Sequence, residues 1–169
     1  LERLLREVLQ AAGIDAARVY LTNAVKHFRY EPRGKRRVHK TPAQRHVEAC
    51  RQWLQAELAT LDPKVIVTLG ATALFAVTGR KEPISQVRGA PLRAENGALL
   101  VATYHPAYLL RNPDAKKFVW EDLQMMLRDM GIDPASARGG VATVTVPVVA
   151  SAEGTLRSLA RLRTDAARR

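Results

Sequence analysis

The sequence predicts an α/β protein, a three-layer α/β/α sandwich around an open, mainly parallel sheet. Two observations carry this. Three short apolar runs alternate with stretches of helical periodicity, in the order α, β, α, β, α, β, α. The runs are continuous rather than alternating, as in strands covered on both faces by helices.

Leu1 to Ala12 alternates apolar and charged residues at helical spacing, with Gly13 as its C-terminal cap. Arg18 to Asn23 is a β-branched and aromatic run, short enough for a buried strand. Lys26 to Lys40 reads as a basic loop broken by Pro32 and Gly34. Thr41-Pro42-Ala43-Gln44 signals a helix start, with Thr41 as cap, Pro42 in the first turn and Gln44 completing a capping box. That helix runs to about Leu61, before Asp62-Pro63. Lys64 to Leu69 is the second strand, closed by Gly70, and Ala71 to Val77 a short helix stopped by Gly79. Residues 80–97 are turn-rich, with room for a short strand at Gln86 to Val87. Leu99 to Tyr104 is the third strand, and His105-Pro106 follows at once. Asp114 to Met130 is an amphipathic helix capped by Gly131. One domain is expected over 1–133. Residues 134–169 read as a disordered or linking tail, in which Val141 to Val149 has the composition of an edge strand. The chain opens at Leu1, already in helical pattern, which reads as a domain whose N-terminal part lies outside this sequence.

The 169 residues carry a formal net charge of +11 and a pI of about 10.5, a balance that favours polyanions, nucleic acid first. Nine of the cations fall between Lys26 and Arg51, opposed there only by Glu31 and Glu48. Such a run is a solvated loop unless its position says otherwise. No apolar run is long enough to span a bilayer, so no membrane partner is expected, and no protein partner is predicted. Cys50 is the single cysteine, which excludes a disulfide framework and suits a cytoplasmic setting, bacterial cytosol or nucleoid.

Open α/β sheets bind ligands beyond the carboxyl ends of their strands. That places four features together: Asn23 and the basic loop after the first strand, Gly70 with Thr72 at a helix N-terminus after the second, and His105 after the third. An amide, an imidazole and a cationic rim describe a pocket for a polar base on a phosphate backbone. The absence of a Gly-rich loop after the first strand argues against an unrelated nucleotide-binding enzyme.

Four segments in this order resemble the motifs of the iron–sulfur (type 4-like) uracil-DNA glycosylases. They are Thr22-Asn23-Ala24-Val25-Lys26-His27, Glu48-Ala49-Cys50-Arg51-Gln52-Trp53-Leu54, Leu69-Gly70-Ala71-Thr72-Ala73 and His105-Pro106-Ala107-Tyr108-Leu109-Leu110-Arg111. The match covers roughly residues 1 to 130. Lys35-Arg36-Arg37-Val38-His39 further resembles the loop of the UdgX subgroup, in which a histidine stands where other members have a cluster cysteine. His27 holds that place here.

The resemblance implies a three-layer uracil-DNA glycosylase fold, N-terminally truncated, and a 4Fe–4S cluster in the complete domain. His27 and Cys50 would be two of its four ligands; a solvated loop histidine and a buried helix cysteine are the plain alternatives. The two other cluster cysteines, an acidic residue in a Gly-Glu-x-Pro-Gly-like motif, an aromatic that stacks on uracil and a core strand are expected upstream of Leu1. Asn23 would read uracil, or serve only in an Asx turn. His105 would stabilise the departing uracilate, and His39 would attack the sugar, giving a stable protein–DNA adduct. Lys35, Arg36, Arg37, Gly70, Thr72 and Arg111 would contact DNA, single-stranded DNA preferentially. The competing expectation is a non-catalytic DNA-binding remnant of the same fold.

Overall fold

The structure is a computed structural model and describes residues 2–11, 14, 19–27, 30–131 and 146–150. The elements in chain order are α1 (Glu2–Ala11), β1 (Val19–Asn23), β2 (Tyr30–Arg33), β3 (Arg36–His39), α2 (Gln44–Leu61), β4 (Val65–Leu69), α3 (Ala71–Thr78) and α4 (Ile84–Val87). There follow β5 (Leu92–Arg93), β6 (Leu99–Thr103), α5 (Pro106–Arg111), a 3-10 turn (Pro113–Ala115), α6 (Lys116–Asp129) and β7 (Val146–Ala150). Gly13, expected as a cap, lies outside the described residues.

Five strands form one sheet in the order β1-β7-β4-β6-β5. The first four are parallel, and β5 pairs antiparallel with β6 at the edge. The central strands β4 and β6 are buried along their whole length. Their alternate residues feed two cores. Val65, Val67, Leu69, Leu99 and Val101 face α1, α5 and α6 through Leu9, Leu109, Leu123 and Met126. Ile66, Leu100 and Ala102 face α2, α3 and α4 through Leu54, Leu58, Leu74 and Ile84. This is the expected three-layer sandwich: a period-two strand with both faces covered reads as a nearly continuous apolar run, here interrupted only by buried Thr68 and Thr103. No helix among the described residues is long and apolar enough to cross a membrane.

Several local expectations are corrected. The basic segment after β1 is not a loop: β2 and β3 form an antiparallel hairpin closed by Gly34 and Lys35. Gly34 takes a positive φ of 58° at the first turn position, where a two-residue hairpin of the II′ kind requires glycine. Arg33 and Arg36 flank the turn as a hydrogen-bonded pair, so the next pair, Pro32 and Arg37, exchanges no ladder bonds. Pro32 therefore costs the hairpin nothing.

Helix α2 starts two residues later than the Thr41 cap implies. Ala43 is the N-cap, with extended φ −75° and ψ 161°. Its N–H donates to His46 Nδ1 at 3.1 Å, while His46 N–H donates to the Ala43 carbonyl at 2.9 Å. The imidazole, three residues past the cap, thus does what was assigned to Gln44. Gln86 to Val87 belongs to the helical turn α4, not to a strand. The short helix α5 after His105 was not anticipated.

The largest correction concerns the C-terminal segment. Within the 134–169 tail, Val146–Ala150 is strand β7, inside the sheet between β1 and β4 rather than at an edge. The domain therefore does not end at 133. Pro147 lies in this strand, and the ladder to β4 begins only after it, at Val148 opposite Val67. A residue without an N–H cannot extend a ladder on both sides. The rest of the tail lies outside the described residues.

Candidate functional site

The sheet registers fix which residues share its carboxyl edge. Asn23 is level with Ala150, Ala150 with Leu69, and Leu69 with Thr103. One row thus ends β1, β7, β4 and β6 together. At the usual strand spacing, Asn23 stands about 10 Å from Leu69, two strands away. Gly70 and His105 lie just past that row, so Asn23, Gly70 and His105 share one edge.

Asn23 is 4% exposed, and its Oδ1 is buried without a hydrogen-bond partner among the described residues. A buried carbonyl oxygen left unmatched costs about 1–3 kcal/mol, so it marks a place prepared for a donor. On the far side, Gly70 caps α3 at φ 87° and ψ 167°, and its N–H donates to the Thr103 carbonyl at 2.9 Å. A Cβ at Gly70 would come within 3.3 Å of His105 Cβ, so only glycine lets the two turns close together. His105 is the N-cap of α5, and its Nδ1 accepts the Ala107 N–H at 3.1 Å. That bond selects the tautomer: a neutral ring must then carry its proton on the buried Nε2, as a donor.

Below this edge, Thr103 Oγ1 donates to Asp122 Oδ2 at 2.6 Å, and Arg88 grips the same carboxylate through Nε at 3.1 Å and Nη2 at 2.9 Å. Asp122 is fully buried, and that burial raises its pKa above the ordinary carboxylate value despite the lowering effect of Thr103 and Arg88. Arg88 also donates to the Phe118 carbonyl and lies over the Phe118 ring. Tyr104, next to His105, stacks on Tyr108 with ring centroids 4.7 Å apart. Neither Arg88 nor Asp122 was singled out from the sequence. A lone aspartate on the apolar face of the 114–130 helix pattern was the available signal.

The cysteine and histidine proposed as ligands meet. His27 Nδ1 lies 3.4 Å from Cys50 Sγ, which also accepts the Lys26 backbone N–H at 3.4 Å. Cys50 is buried on α2, and His27 is exposed. A cysteine sulfur that accepts an N–H, beside an imidazole, is a donor pair suited to iron. Among the described residues no group of three or more His, Cys, Asp and Glu side chains gathers at one point, so His27 and Cys50 meet there as a pair.

The basic stretch divides. Lys26 pairs with Glu57 and Lys40 with Glu31, while Arg51 lies against Gly79 at the end of α3. Lys35 is exposed at the hairpin tip, Arg36 and Arg37 follow it in β3, and His39 ends that strand opposite Tyr30. Thr72 lines a groove with Pro42, Gln44, Phe75 and Lys81. Arg111 is exposed in the last turn of α5.

The family model described as the uracil DNA glycosylase superfamily matches residues 2–124. Among curated relatives, the type-4 uracil-DNA glycosylase of Thermotoga maritima is 40% identical over 124 residues, which is 72% of this chain and 61% of that protein. The type-4 uracil-DNA glycosylase of Pyrobaculum aerophilum is 33% identical over 143 residues, 79% of this chain and 69% of that protein. That of Sulfurisphaera tokodaii is 30% identical over 141 residues, 79% of this chain and 59% of that protein. The chain thus spans about 60 to 70% of the length of these relatives.

Proposed function

The chain belongs to the uracil DNA glycosylase superfamily, and from that premise we propose that it recognises uracil flipped out of DNA, cleaves the N-glycosidic bond and becomes covalently linked to the DNA through His39. The observation that carries this reading is the shared edge. A buried amide oxygen at Asn23, without a partner among the described residues, lies on the same sheet edge at which Gly70 seats His105.

The base must leave the stack before its glycosidic bond can be reached. Asn23 Oδ1 accepts the uracil N3–H and its amide N–H donates to O4, a pair of groups that thymine shares but that cytosine, with a bare N3 and an amine at C4, lacks. As the C1′–N1 bond breaks, its electron pair passes to the base. The uracilate so formed carries charge on its O2, to which His105 Nε2–H donates. The tautomer set by the Ala107 N–H keeps that proton on the correct nitrogen. The sugar becomes cation-like at C1′. A neutral His39 ring nitrogen bonds to that carbon, and the proton on its other nitrogen leaves to water. The C–N bond offers no ready leaving group, so turnover stops at the adduct. Lys35, Arg36, Arg37, Thr72, Gly70 and Arg111 hold the backbone phosphates, with an unpaired strand favoured because its base needs no unpairing. When bound, a 4Fe–4S cluster held in part by His27 and Cys50 would tie the segment after β1 to α2. This places the activity in DNA repair, in the cytosol or nucleoid.

The test is uracil release from a labelled single-stranded oligonucleotide, with His39→Ala to free the product. Asn23→Ala and His105→Ala should each lower release by about 100-fold or more. Release that survives both substitutions contradicts the assignment. Salt-dependent binding with neither release nor adduct would instead support a non-catalytic DNA-binding fold.

A further inference from the structure

Lys26 stands first in the basic stretch, yet its ammonium points into the fold. Nζ donates to Thr22 Oγ1 at 2.7 Å and to Glu57 Oε1 and Oε2 at 2.8 and 2.9 Å. An ammonium has three N–H groups, and these three contacts occupy its donor capacity, leaving little for a phosphate. Thr22 Oγ1 in turn donates to Glu57 Oε2 at 2.5 Å. Burial, and after it the charge of the same carboxylate, raises the Tyr20 pKa.

The segment Thr22–His27 is thus fastened to α2 at two points, Glu57 through the Lys26 side chain and Cys50 through the Lys26 backbone N–H. Glu57 and Cys50 are seven residues apart, two helical turns, and so share one face of α2 with buried Leu54 between them. The fastened segment contains Asn23, whose side chain would otherwise gain by turning toward any local donor.

We infer that Lys26 and Glu57, joined by Thr22, are positioning residues that hold the Asn23 carboxamide aimed at the uracil edge, and that Lys26 is not a DNA contact. This rests on the reading of Asn23 given above. A partly exposed ion pair contributes little to stability, so a merely structural role predicts little effect on base selectivity.

The test uses the full chain and single-stranded oligonucleotides bearing one uracil or one cytosine at the same place. Lys26→Met and Glu57→Gln should each reduce the preference for uracil by about tenfold while leaving cytosine DNA affinity as in the wild type. The salt slope should not change in Lys26→Met. The exchanged pair, Lys26→Glu with Glu57→Lys, should restore the preference. Backbone amide exchange over residues 22–27 should accelerate in the single variants and recover in the exchanged pair. A preserved preference, or a salt slope smaller by about 0.7, one phosphate's worth, overturns the inference. Unaltered amide exchange overturns it as well, even if the wild type ignores uracil. Asn23→Ala separates the two readings: if it keeps the wild-type preference, the role of Asn23 fails, whatever the exchange data say of the clamp.

Discussion

Replacing Gly70 by alanine should disturb the site out of proportion to the size of a methyl group. The backbone at φ 87° and ψ 167° lies in a region that is essentially glycine-only, and a side chain there costs about 1–3 kcal/mol. The added Cβ would also meet His105 Cβ at 3.3 Å, so the β6–α5 turn must give by a few tenths of an ångström. A Cβ cannot rotate away as the end of a long side chain can, and the Gly70 N–H bond to Thr103 opposes the movement. The expected loss is about 2 kcal/mol, or a Tm lower by about 4–8 °C for a chain of this size. Gly97→Ala is the control for a positive φ without a collision, with φ 80° and nothing within 4 Å of the added atom. Urea or thermal unfolding of the two variants separates backbone strain from collision, and uracil-DNA affinity reports the displacement of His105. Gly70→Ala should lose uracil preference, and Gly97→Ala should retain it. A Gly70→Ala protein within about 0.5 kcal/mol of wild type, or equal effects of both variants on uracil preference, would refute the reasoning.

Other perturbations follow from the same contacts. Arg88→Ala leaves the fully buried Asp122 facing Thr103 without its cation and should cost about 3–5 kcal/mol in urea unfolding. Because burial raises the Asp122 pKa above 3.8, the folded state holds its proton more tightly than the unfolded chain. The stability this contributes is present below 3.8 and is lost as pH rises through the folded value, so wild type should lose ground to Asp122→Asn over that acid range. Reversing Lys35, Arg36 and Arg37 to Glu should lower the salt slope of single-stranded DNA binding by about 2, the sum for three phosphates; an unchanged slope removes the hairpin from the DNA surface.

The layers were readable because β4 and β6 are almost continuously apolar, interrupted only by Thr68 and Thr103, which is the pattern of a doubly covered strand. The site edge followed from topology alone: once the strands are parallel, Asn23, Gly70 and His105 must end on one side. What could not be read depends on partners distant in the chain. Val146–Ala150 has strand composition, but Pro147 and the polar, alanine-rich surroundings point to an edge. Its interior place requires β1 and β4 to leave a gap one strand wide. The hairpin signal at Gly34-Lys35 was present but obscured by Pro32, whose harmlessness depends on the pairing register. Counting Lys26 as a free cation failed because Glu57, which neutralises it, stands 31 residues away. His46 capping Ala43 and Arg88 reaching Asp122 are likewise matters of side-chain geometry, which residue type alone does not disclose.

The covalent role of His39 is the claim most exposed to a single experiment. A labelled single-stranded oligonucleotide with one uracil, and its thymine counterpart, are incubated with the protein and run on a denaturing gel. The account predicts a denaturant-resistant shifted band with uracil DNA alone, abolished by His39→Ala and weakened by His105→Ala. An equal shift with His39 present or replaced, or a shift with thymine DNA, would contradict it.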